Sequence, residues 1–177
     1  MATTWDKTPK RTPQEVAALV QEVSDQLVRY AFCMVGDGNA AEEIALRAMA
    51  DFVYRNEHRA LPKSYLYRVV RSRAMDYLRR KRHEVALGDV EAVLSAGNTT
   101  EADAERAFAN GVLYRAMQRI APDYRNVLYL NVLEGFDVAE TARIMGKNVK
   151  QVYNLLARAK VALKERLLEE GFDYEDL

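Results

Sequence analysis

Lys150, Gln151, Asn154 and Arg158 fall within nine residues of the stretch VAETARIMGKNVKQVYNLLARAK (138–160). Gln and Asn carboxamides can pair bidentately with adenine, and Lys and Arg reach guanine or phosphate. If the segment after Asn148 is a helix, Val149, Val152, Leu156, Ala159 and Leu163 form its apolar stripe. The four polar residues then point away from it. A shorter helical pattern precedes, ending at Gly146. Two helices at a tight turn are the arrangement that lays a second helix in the major groove. The same residues also suit a plain helical hairpin with a solvated polar face, and this segment alone leaves both readings open.

A second concentration of chemistry lies at YLYRVVRSRAMDYLRRKRH (65–83). Leu66, Val69, Val70, Ala74, Tyr77 and Leu78 have helical spacing and leave Arg68, Arg71, Arg73, Arg79, Arg80, Lys81 and Arg82 outside. Tyr54, Tyr65, Tyr67 and Tyr77 interleave with them. Guanidinium groups meet phosphates, and splayed bases stack on aromatic rings. A solvated basic face with core tyrosines has the same pattern.

Enzyme chemistry finds little support. His58 and His83 are the two histidines, and neither has a metal-ligand partner at helical spacing. A glycine-rich phosphate loop and a nucleophile elbow are both missing. Cys33, the single cysteine, lies in the apolar run YAFCMV and is expected to be packed. No cofactor is expected. The N-terminus has no apolar secretory segment, and no stretch approaches the ~20 apolar residues of a membrane span. A cytoplasmic protein without membrane insertion is expected.

The elements that must position these residues read as helices. Thr12 caps the first, with Pro13 and Glu15 following. Gly36 and Gly38 stop it, Asn39 caps a second, and Pro62 starts a third. Pro122, Asp137 and Asn148 begin later helices, with Gly135 and Gly146 closing two of them. Between the halves, charge changes sign although the chain as a whole is neutral, with 26 basic and 26 acidic residues. From Arg55 to Arg82 there are ten Lys/Arg against two acids; from Glu84 to Ala107 there are six acids against one Arg. The expected fold is all-α: two small helical domains at 12–83 and 104–170, joined by a flexible acidic linker at 84–103 and followed by an acidic tail at 171–177.

In order and spacing, three stretches together resemble the extracytoplasmic-function sigma factors of bacterial RNA polymerase, of the sigma-70 family. GDGNAAEEIALRAMADFVYR (36–55) is similar to that family's polymerase-binding helix. LPKSYLYRVVRSRAMDYLRRKR (61–82) is similar to its region 2 strand-binding stretch, and IAPDYRNVLYLNVLEGFDVAETARIMGKNVKQVYNLLARAKVALKERL (120–167) to its region 4. The resemblance implies a non-enzymatic subunit that directs core polymerase to promoter DNA. It assigns Tyr65, Arg68, Arg71, Ser72, Arg73, Asp76, Arg79, Arg80 and Arg82 to the −10 element. Asn148, Lys150, Gln151, Tyr153, Asn154 and Arg158 go to the −35 element. Glu42, Glu43, Leu46 and Arg47 go to the polymerase, and an anti-sigma factor is a further candidate partner.

The chain departs from the family pattern at named positions. Leu46 and Arg47 stand where the clamp-binding helix usually carries a Gln and an acid, which implies fewer groups to pair with a basic polymerase surface. Tyr65 replaces a Trp, Ser72 an Asn and Gln151 a Thr. Leu155 replaces a commonly basic residue at the edge of the apolar stripe. Two other functions use the same features: a sigma-like mimic that binds an anti-sigma factor or other regulator, and a helix-turn-helix regulator acting without polymerase.

Overall fold

The computed structural model describes residues 8–87 and 111–172. The expected linker beyond residue 87, the first residues of the second expected domain (104–110) and tail residues 173–177 lie outside the described residues. Among the described residues the elements are helical: α1 Pro13–Val35, α2 Gly38–Asn56, α3 Lys63–Ala86, α4 Gly111–Gln118, α5 Pro122–Leu128, α6 Val138–Met145 and α7 Val149–Glu169.

Local hydrogen bonding explains where most of these begin. The Thr12 hydroxyl accepts from the Glu15 N–H at 3.2 Å, and the Glu15 carboxylate accepts from the Thr12 N–H at 2.7 Å. This reciprocal cap satisfies two of the N–H groups a helix start leaves orphaned. Gly36, at φ 70°, ends α1 in the left-handed region that favours glycine. The cap of α2 corrects the sequence expectation. It is Asp37, not Asn39: Asp37 is extended and its carboxylate accepts from the Ala40 N–H at 3.0 Å. Gly38 is therefore the first residue of α2 rather than a stop, and Asn39 lies inside the helix. The second Asp37 oxygen accepts from the Tyr77 hydroxyl at 3.2 Å, which pins the start of α2 against α3. α3 runs to Ala86, three residues past His83.

α1, α2 and α3 pack around one another through Leu27, Ala45, Phe52, Leu66 and Val70, all fully buried. In the second half, α5 passes into a π-helical turn over Tyr129–Leu133. The Glu134 N–H donates to the carbonyl five residues back, Tyr129 O, at 2.9 Å. Such widened turns are rare. Here Glu134 follows at once and reaches the first half of the molecule. Asp137 caps α6, accepting from the Glu140 N–H at 2.7 Å, and Gly146 at φ 65° turns the chain into α7.

The two halves share a buried seam. α1 lies against α4 and α5, and α3 lies against α6. The Tyr30 hydroxyl donates to Asn126 Oδ1, both side chains fully buried. The Tyr30 ring stacks on Tyr129 with centroids 5.1 Å apart, and Phe32 stacks on Tyr114 at 5.0 Å. The Tyr67 hydroxyl donates to Glu134 at 2.8 Å, and its ring meets the Phe136 ring edge-on at 4.9 Å. Gln118 donates to the Cys33 carbonyl at 2.8 Å, and Arg125 donates to the Gln118 amide oxygen at 2.8 Å. Aromatic packing removes apolar surface from water, and the Tyr30 and Tyr67 hydroxyls and the Gln118 amide find partners across the seam. Cys33 is packed, as expected, and burial pushes its thiol up to about 12.

Candidate nucleic-acid interface

α3 carries the expected strand-binding residues, and packing sorts them. Arg68, Ser72, Asp76, Arg79, Arg80 and Arg82 are exposed, while Tyr65, Arg71 and Arg73 are half-buried. Asp76 holds Arg79 at 2.9 Å, three residues along the helix. Arg71 is drawn inward: its guanidinium meets Asp123 at the start of α5, 3.2 Å away. Tyr67, read from the sequence as one of the interleaved aromatics, is fully buried in the seam. Burial and the Glu134 carboxylate push its hydroxyl well above the usual tyrosine range.

Two grooves flank α3. The first, of about 530 Å³, runs between α2 and α3 and is lined by Glu43, Arg47, Arg73, Asp76, Arg79 and Arg80. Tyr77 also faces it, with Lys81 over its ring at 5.3 Å. The second, of about 660 Å³, lies around the loop joining α2 to α3 and brings Tyr54, Arg55, His58, Arg59, Tyr65 and Arg68 together. The Tyr54 ring is 65% exposed and meets His58 edge-on at 5.6 Å. Asp51 grips Arg55 Nε at 2.9 and 3.0 Å, and these hydrogen bonds raise the guanidinium pKa. Sequence reasoning assigned Tyr65 and Arg68 here but not Arg55, His58 or Arg59. The available signal was their place in the basic run that begins at Arg55; the loop that folds them against Tyr65 is a tertiary feature.

The helix-turn-helix is formed by α6, the turn at Gly146, and α7. Lys150, Asn154 and Arg158 recur every four residues and share one exposed face. Tyr153 is exposed beside them. Asn148 and Gln151 are engaged with each other: Asn148 Oδ1 accepts from the Gln151 N–H at 2.8 Å, and Gln151 Oε1 accepts from the Asn148 N–H at 2.9 Å. The Gln151 amide oxygen is thus committed to the helix cap, which leaves its NH2 group to face outward. Bidentate pairing with adenine needs both ends of the carboxamide. Leu155 packs against the core rather than facing outward.

On α2, Glu42, Glu43, Leu46 and Arg47 are all exposed. Leu46 is bare over 65% of its surface, and Arg47 pairs with Glu43 at 2.5 Å. Among the described residues, no three His, Cys, Asp or Glu side chains are grouped to hold a metal, and no helix is long and apolar enough to cross a membrane.

Comparison with known proteins follows the same division. The profile for sigma-70 region 2 matches residues 19–84, and that for sigma-70, region 4 matches residues 111–163. The ECF RNA polymerase sigma factor BldN of Streptomyces coelicolor is 30% identical over 162 residues, 86% of this chain; the chain spans 60% of that relative's length. The ECF RNA polymerase sigma factor SigM of Bacillus subtilis is 24% identical, over 82% of this chain and 91% of its own length. The RNA polymerase sigma-E factor of Streptomyces antibioticus is 28% identical, over 90% of this chain and 88% of its own length. The solved structure of the sigma factor RpoE in complex with the anti-sigma factor NepR from Bartonella quintana shares the fold. It has a TM-score of 0.63 at 16% identity and covers 87% of this chain and 94% of that one. With region 2 matched on α1–α3, region 4 on α4–α7, and these relatives spanning both, the chain belongs to the extracytoplasmic-function branch of the sigma-70 family.

Proposed function

We propose that this chain directs RNA polymerase to specific promoters, gripping melted −10 DNA with α3 and duplex −35 DNA with α7. The observation that supports this most is that one chain presents an arginine-and-tyrosine face on α3 and a polar helix-turn-helix face on α7. Arg68, Arg79, Arg80 and Arg82 meet phosphates. A base turned out of the melted strand stacks against Tyr54 or Tyr65 in the second groove, an interaction worth about 1–3 kcal/mol per base. Lys150, Asn154 and Arg158 enter the major groove of the −35 duplex, with the Gln151 NH2 as a further donor. Asn148 acts by holding the start of α7.

Sigma factors are initiation factors without catalysis of their own, and the chain acts in that way, in the cytoplasm, with core RNA polymerase and promoter DNA as partners. Glu42, Glu43 and Leu46 face the polymerase. Run-off transcription with core polymerase tests the reading: promoter-dependent transcripts that need the chain support it, and a chain inert with several core enzymes refutes it.

The exposed apolar Leu46, where a polar residue usually meets the polymerase, favours one second reading. In it the chain is a sigma-like decoy held by an anti-sigma factor, the kind of partner named for the Bartonella quintana RpoE structure. Inert protein that still binds such a regulator separates this reading from the first.

A further inference from the structure

Arg47 stands at a position assigned by resemblance to the polymerase surface, yet its side chain opens toward DNA-facing groups. Glu43 and Arg47 line the groove between α2 and α3, together with Arg73, Arg79 and Arg80. Leu46, the next residue back, is not part of that lining. The groove holds four guanidinium groups against two carboxylates, Glu43 and Asp76, a net charge of +2. One of the four is incompletely partnered: Arg73 Nε is buried without a hydrogen bond among the described residues. Arg47 itself is 64% exposed, and its one ion pair among the described residues, at 2.5 Å, is with Glu43 on its own helix. An exposed pair of this kind contributes little to stability, so its guanidinium is readily given up to a stronger acceptor. A backbone phosphate of DNA offers two non-bridging oxygens, which an arginine fork can take bidentately.

We infer that Arg47 is a DNA-binding residue: it extends the phosphate track of α3 across the groove onto α2, taking one backbone phosphate of single-stranded −10 DNA. Glu43 restrains it in the free protein. This rests on the reading of α3 as the strand-binding helix. It also reassigns the charge change at position 47 from a weakened polymerase contact to an added DNA contact.

The test uses the full chain and a fluorescently labelled oligothymidylate, with affinity followed by anisotropy over a salt series. Each phosphate contact to a single strand contributes about 0.7 to the slope of log affinity against log salt. Arg47→Ala is expected to weaken binding about fivefold at low salt and to lower the slope by about 0.7, with Arg47→Lys restoring most of both. Glu43→Gln, which releases Arg47 and removes a repelling carboxylate, is expected to strengthen binding. Affinity for core polymerase, measured in parallel, should not change with Arg47→Ala. A change in polymerase affinity with an unaltered salt slope overturns the inference and returns Arg47 to the polymerase face. Arg80→Ala separates the two levels of the argument. If it weakens binding and Arg47→Ala does not, the inference falls while the α3 reading stands. If neither variant has an effect, both fall.

Discussion

The Arg71 guanidinium on α3 lies 3.2 Å from one Asp123 oxygen at the start of α5, and the Lys147 ammonium lies 3.2 Å from the other. Asp123 thus joins three elements, α3, α5 and the turn into α7. Asp123 therefore competes with a DNA phosphate for the Arg71 guanidinium, which at 19% side-chain exposure is more enclosed than Arg47. The α3 face is therefore presented with one of its cations already engaged by the second half of the molecule.

Removing that competitor should release Arg71. Asp123→Asn is expected to raise the affinity of the free protein for single-stranded DNA by about two- to fivefold, the range of a partly exposed ion pair. Anisotropy at low salt reads the change. Asp123→Asn in an Arg71→Ala background should add nothing, and a gain there would show that the effect does not pass through Arg71.

The buried bond between Tyr30 and Asn126 links α1 to α5 and should behave asymmetrically under mutation. Tyr30→Phe leaves Asn126 Oδ1 buried without its donor, an expected loss of about 1–3 kcal/mol in urea or thermal unfolding. Adding Asn126→Leu should recover much of that loss, because an apolar pair leaves no unmet polar atom. The Asn126 Nδ2 group has no hydrogen-bond partner among the described residues, which favours the recovery further.

Stability should decline in alkali. Burial raises the Cys33 thiol from 9.0 to about 12, and burial together with Asp37 raises the Tyr77 hydroxyl from 10.0 to about 12. Burial also moves Tyr30, Tyr67 and Tyr129 upward. The unfolded chain releases these protons at lower pH than the folded protein does. Their contribution is therefore complete below pH 9 and is lost as pH climbs toward 12. Melting temperatures that fall over this window, together with a further rise in tyrosinate absorbance on unfolding, are the expected result. Cys33 should likewise resist iodoacetamide until the protein is unfolded, since the thiolate is the reactive form.

Two asparagines six residues apart should separate stability from recognition. Asn148→Ala removes the cap of α7 and should lower stability by about 1 kcal/mol. Asn154 is exposed on the face of α7 proposed to meet the duplex. Asn154→Ala should leave the melting temperature unchanged and weaken −35 duplex binding by about 1–3 kcal/mol at the base it reads. If Asn154→Ala has no effect on any promoter duplex, that face of α7 is solvated rather than reading.

The helix boundaries were largely legible because capping is a local event. Thr12 with Glu15, Pro122, Asp137 and the glycines at 135 and 146 act on residues within a turn of themselves, and the structure places helix ends at each. The miss at α2 is also local. Asp37 and Asn39 are both capable caps two residues apart, and only the backbone path, extended at Asp37, selects between them. The π turn over Tyr129–Leu133 has no comparable signal, since the hydrogen bond that defines it competes closely with ordinary helical bonding.

Side-chain chemistry divides in the same way. The types and helical spacing of Lys150, Asn154 and Arg158, and of the α3 arginines, are written in the chain, because a 3.6-residue period assigns faces without knowledge of neighbours. The sequence by itself therefore determined the helices, their polar faces and the family. It could not determine that Arg71 is engaged by Asp123, that Tyr67 is buried against Glu134, or that Arg47 opens onto the arginines of α3. Those outcomes depend on which partner lies within about 3 Å once water is excluded. Only tertiary packing sets that for residues up to 67 positions apart, as Tyr67 and Glu134 are.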